Sequence, residues 1–295
     1  MGIAARAIAY SGSGYKYWKG FELEIQEQIE SVAKEINDLL FLLKTKKPIT
    51  TLDVAVAGKN QMDLQLICDL LVYSNDVISE EKDQDGKETL EVLKNTKKIL
   101  EIINSKNPGS LGLHPIIYFY SKKGNFKPAN FYATVLFVRE LKQKKQFDKF
   151  TSVRAEFEEF IYKNDYIIDQ INRNLRSTKK SAIPLKELFV LIMDSLADGC
   201  NEFDIRQAIK KKYNKINLVN DEDEIGESFN ANRKSETYIS TALKSVVRCG
   251  ICGGVVHVNS TSVDHIVRKR DGGLGSAENG RLHTHIVTPD TKINI

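Results

Sequence analysis

Between Arg248 and His285 the chain reads RCGICGGVVHVNSTSVDHIVRKRDGGLGSAENGRLHTH, a stretch dense in residues able to do chemistry. Cys249 and Cys252 stand two residues apart on a turn made pliable by Gly250, Gly253 and Gly254, a spacing that supplies half of a tetrahedral zinc site. A single pair of this kind also fits a redox motif or chance, so its meaning depends on the residues C-terminal to it. Asp264 and His265 come next, then the basic Arg268, Lys269 and Arg270, the pair Gly272 and Gly273, Asn279, Arg281, and the histidines His283 and His285. A short strand can present Asp264 and His265 at one edge, a glycine loop can turn the chain back, and a following helix can offer Asn279 from its first turn. Such a convergence suits activation of water by a histidine beside a divalent metal.

The elements that must position these groups are mostly helices. Apolar residues recur at helical spacing through 21–43, 64–72, 90–103, 131–141 and 147–161. Further helices are expected at 166–175, at 185–196 with Pro184 in the first turn, at 204–213 and at 236–246. Three segments break the pattern: 52–60, the polar 79–88, and 107–126, whose alternating apolar and aromatic residues predict a short strand or hairpin. His114, just before Pro115, reads as a loop or packing histidine. The acidic stretch 218–236, with Asp221, Glu222, Asp223 and Glu224, predicts a linker or long surface loop, with a domain boundary near its end.

Composition sets the remaining bounds. The chain has 295 residues with 41% hydrophobic content, enough to bury a core, and no apolar run of membrane-spanning length. A soluble, cytoplasmic protein is expected. Four cysteines are too few for a disulfide scaffold; Cys68 reads as a buried helical thiol and Cys200 as a loop thiol. A net charge of +4 neither demands nor excludes a nucleic-acid partner. The basic residues near Asp264 are as consistent with a solvated surface as with a site.

The ordered set of cysteine pair, Asp-His, Gly-Gly and Asn resembles the HNH, or ββα-metal, nucleases over about forty residues. The resemblance implies that His265 is the general base for the attacking water, Asp264 a ligand of a catalytic magnesium or manganese, and Asn279 the residue that holds the base or its loop in place. It implies a structural zinc at Cys249 and Cys252, and DNA phosphates held by Arg268, Lys269, Arg270 and Arg281. The expected fold is mainly α, a helical body over 1–230 followed by a small zinc-knuckle ββα-metal domain over 231–295.

The family places a second zinc pair and a last ligand after the central Asn, whereas this chain runs LHTHIVTPDTKINI, with Thr288 and Pro289 ill suited to a helix. Restoring one base before Leu282, with codons freely chosen, gives LTHPYCNTGYKNKY, which carries the missing pattern. The end is therefore expected to be frame-shifted at Arg281/Leu282, and the zinc site to recruit His283 or His285. The segments ARAIAYSGSGYKYWKG, LDVAVAGK and SLGLHPIIYFYSKKGNFKP resemble the region between the ParB-like and HNH domains of GmrSD-type restriction-related proteins. That resemblance implies the C-terminal part of a larger protein, association with a ParB-like nucleotide-handling domain or with a second copy, and metal-dependent DNA cleavage in restriction or phage defence. The alternative is an inactive DNA-binding or scaffold fragment with a structural knuckle.

Overall fold

Burial of one face turns the periodic segments into helices. The computed structural model describes residues 1–14, 18–58, 63–76, 83–217 and 228–284, and these fold mainly as α-helix. In chain order the helices are α1 (Gly2–Ala9), α2 (Leu23–Phe41), α3 (Leu64–Ser74), α4 (Lys87–Ile103), α5 (Pro115–Tyr118), α6 (Pro128–Lys144), α7 (Phe147–Ser152), α8 (Arg154–Lys163), α9 (Asp165–Leu175), α10 (Thr178–Ala197), α11 (Glu202–Lys212) and α12 (Ala231–Ala242). The strands β1 (Thr261–His265) and β2 (Gly280–Thr284) form an antiparallel pair. No described helix is long and apolar enough to cross a membrane.

The body is organised around α6, which packs on α10, α3 and α4, while α2 lies along α4 and α1 closes against α2 and α3. Phe137, Phe150, Phe157 and Phe189 meet in five ring pairs with centroids 5.3 to 6.0 Å apart; Phe137 and Phe157 are stacked, and the other four of these pairs meet edge-to-face. Such aromatic contacts add to the area they bury. Cys68 and Cys200 are half-buried free thiols, one on α3 and one following α10.

Four local expectations are corrected. The segment 147–161 is two helices, α7 and α8, meeting at Val153. Helix α10 begins at Thr178, so Pro184 lies inside it; the Ser177 hydroxyl caps the end by accepting from Lys180 N at 3.4 Å, and burial of Ser181 and Ala182 keeps the added turns helical. In 107–126 the aromatic run PIIY is helix α5, and the hairpin shrinks to a single bridge between Tyr120 and Phe126. Helix α12 starts within the expected linker, where Asn230 caps it by accepting from Arg233 N at 3.0 Å. The acidic residues 221–224 lie outside the described residues.

Candidate functional site

After α12 the chain doubles back on itself. Cys249 N donates to Gly254 O at 2.8 Å, Gly253 N to Cys249 O at 2.9 Å, and Val256 N to Val247 O at 3.1 Å, so 247–256 is a tight hairpin. It sits on β2 through Gly250 N, which donates to Leu282 O at 2.8 Å. Cys249 and Cys252 are both buried and lie in one small cluster with Val256. The neighbouring Cys252 thiol and nearby backbone N–H groups pull the Cys249 thiol below its ordinary range against the opposing effect of burial, while Cys249 and burial push Cys252 up.

The β1–β2 register pairs Asp264 with Arg281, His265 with Gly280 and Ser262 with His283. Side chains alternate across a strand, so Asp264, Arg281 and His283 share one face and His265 lies on the other. Arg281 Nη2 stands 3.6 Å from Asp264 Oδ2, too far for a hydrogen bond, and Asp264 Oδ2 and Arg281 Nε are both buried without a hydrogen-bond partner. His283 is buried, with Nδ1 2.8 Å from Thr284 O; the carbonyl can only accept, so Nδ1 is the donor.

Asn279 does not open a helix as the sequence suggested. It ends the loop before β2, where its amide takes Val267 N at 2.7 Å and gives to Val267 O at 3.1 Å and Leu274 O at 2.7 Å. The loop between the strands carries Arg268, Lys269 and Arg270, the last two in a single 3-10 turn and exposed. Gly273 is required at its place, because a Cβ there would lie 1.7 Å from Val267 O. His285 and everything after it lie outside the described residues. Among the described residues no three of His, Cys, Asp and Glu gather closely enough to hold a metal, so the thiol pair, His283 and Asp264 are separate donors.

No family model, curated protein or solved structure matches this chain.

Two features carry no signal in the sequence. The hairpin docks on the body through Arg154 of α8, which is fully buried against Cys252, Gly254 and Val255. His257 is also fully buried, its ring 5.0 Å from that of His114, with Nδ1 3.1 Å from Asn104 Nδ2 and Nε2 4.0 Å from Asp53 Oδ1. Burial pushes His257 down to about 4 against the opposing pull of Asp53, and pushes His114 well below the usual histidine range. His114 is a packing histidine, as expected, but not an isolated one. A separate cavity of about 620 Å³, lined by Lys122, Lys123, Lys127, Asp165, Arg173 and Arg233 among others, includes no residue of 248–284.

Proposed function

We propose that residues 248–284 form the core of an HNH-type nuclease module that hydrolyses phosphodiester bonds of DNA, in a restriction or phage-defence role. The observation that carries this reading is a buried carboxylate oxygen with no hydrogen-bond donor, Asp264 Oδ2, next in sequence to His265, on a strand whose loop is tied down by Asn279. A desolvated carboxylate oxygen that accepts no hydrogen bond is costly; Arg281 Nη2 meets it only as an ion pair at 3.6 Å, and a bound cation is one way to satisfy it further.

In this reading His265 takes the proton from the attacking water as general base. Asp264 would hold magnesium or manganese, which supplies Lewis-acid stabilisation of charge on the phosphate and leaving oxygen. Cys249 and Cys252 would hold a structural zinc, with His283 or His285 completing it. Arg268, Lys269, Arg270 and Arg281 would hold phosphates without reading bases. Association with a ParB-like nucleotide-handling domain or a second copy, and a place in the cytoplasm, belong to the same proposal.

One observation favours a second reading, an inactive DNA-binding or scaffold module with a structural knuckle: among the described residues Asp264 is joined by no set of donors able to hold a metal. Plasmid nicking in magnesium and in manganese separates the two. Cleavage that drops about a hundredfold or more in His265→Ala supports the nuclease. Salt-sensitive DNA binding with no His265-dependent nicking supports the scaffold.

A further inference from the structure

Arg154 opens α8 and has no exposed surface, yet it carries a guanidinium with five N–H donors. The acceptors around it come from several segments. Nε donates to Glu158 Oε1 at 2.7 Å, one turn along the same helix. Nη2 donates to Gly112 O at 3.1 Å and to Val255 O at 3.4 Å, and Nη1 donates to Leu111 O and points at Cys252 Sγ, 4.0 Å away. Glu158 is equally committed: Oε1 also accepts from Tyr118 Oη at 3.0 Å, and Oε2 accepts from Val255 N at 2.7 Å. Gly254 lies flat against the guanidinium, where a Cβ would come within 2.2 Å of Arg154 Nε.

This network joins three stretches far apart in sequence: the loop at 111–112, the α8 pair, and the hairpin at 252–255. Stability alone is a poor reason for it, because buried ion pairs are often no better than apolar residues of the same size. What an apolar side chain cannot do is place N–H donors on fixed acceptors in different segments, or aim an N–H from a cation at a sulfur. We infer that Arg154 is a positioning residue for the thiol pair: it fixes Cys252 from the helical body and stabilises charge on its sulfur when the pair binds a metal. The inference rests on the zinc reading of Cys249 and Cys252. Groups that orient a metal's ligands commonly change affinity about 10- to 100-fold when removed.

The test uses the full chain with Arg154→Met and Glu158→Gln combined, so that no buried charge is left alone, and with Arg154→Lys as a second variant. Zinc release to a chromogenic chelator and the thiolate-to-metal band of the cobalt(II)-substituted protein are read beside thermal unfolding. The expected result is zinc affinity at least about tenfold lower in the double variant, with a shifted cobalt band, and an intermediate effect in Arg154→Lys, which keeps the charge but not the five-donor fork. Zinc release and a cobalt band equal to wild type in a folded variant would overturn the inference. If wild-type protein takes up neither zinc nor cobalt, the zinc reading has failed, and positioning is read from amide exchange instead. The Val255 amide should then exchange at least about tenfold faster in Arg154→Lys, while amides of α6 stay unchanged; equal exchange at Val255 would overturn it. If the double variant does not fold, Arg154→Lys carries both readouts with the same outcomes.

Discussion

Asn279 and Val267 hold each other twice, Val267 N donating to Oδ1 at 2.7 Å and Nδ2 donating to Val267 O at 3.1 Å. With Leu274 O on the same Nδ2 at 2.7 Å, and Ile266 N donating to Asn279 O at 2.8 Å, one residue closes the loop that joins the two strands. The loop starts immediately after His265, the last residue of β1.

Asn279→Ala should therefore open the loop without unfolding the body. Three side-chain hydrogen bonds at an exposed site are together worth about 1 to 3 kcal/mol. Amide exchange at Val267 should speed up at least about tenfold, with α6 amides unchanged. Asn279→Asp should do nearly as much harm, since its carboxylate would face two carbonyl oxygens. Unaltered exchange at Val267 in both variants would show that the backbone holds the loop by itself.

Gly273→Ala should act on the same loop by a different route. Its Cβ would overlap Val267 O at 1.7 Å, a backbone atom that cannot rotate away, whereas nothing lies within 4 Å of a Cβ on Gly275. Gly273→Ala is expected to shift resonances across 266–279 and to raise exchange at Val267. Gly275→Ala should stay within about 0.5 kcal/mol of wild type by urea unfolding.

Stability should decline in acid through His257. Its folded pKa, about 4, lies below the ordinary 6.5, so between those values the unfolded chain binds a proton that the native chain refuses. The contribution is present in full above about pH 6.5, falls as pH drops, and levels off below about 4, for a loss of up to about 3 kcal/mol. His114, also held below its ordinary range, acts in the same direction, while Asp53 opposes it. Urea unfolding at pH values of about 7, 6 and 5, spanning that window, should show a shallower pH slope in His257→Asn, whose amide oxygen can still accept from Asn104. An identical slope would remove His257 as a cause.

DNA binding, if it resides beside Asp264, should weaken alike on all sequences in Arg268→Glu with Arg270→Glu. Removing one phosphate contact makes the slope of log affinity against log salt shallower by about 0.9. Fluorescence anisotropy between roughly 50 and 200 mM salt gives that slope. A sequence-selective effect, or no change, would place the phosphate-binding residues elsewhere.

The helices and the order of the chemical groups were legible in the sequence because both are local properties. A helix announces itself by apolar residues every three to four positions, as in α2, α4 and α9, and the thiol pair, Asp264-His265, the glycines and Asn279 stand within about forty residues. What each group touches depends on segments that arrive from elsewhere. Arg154 and Glu158, four apart on a charged-looking helix, read like an ordinary surface pair; only the arrival of 111–112 and 252–255 makes them the buried join between body and hairpin. The same holds for His257, solitary in sequence until Asn104, His114 and Asp53 surround it, and for Pro184, whose place inside α10 was set by packing of Ser181 and Ala182. Periodicity specifies which face of a segment is apolar, but burial of a polar group is decided by the partners that cover it, and those are chosen only when the chain closes.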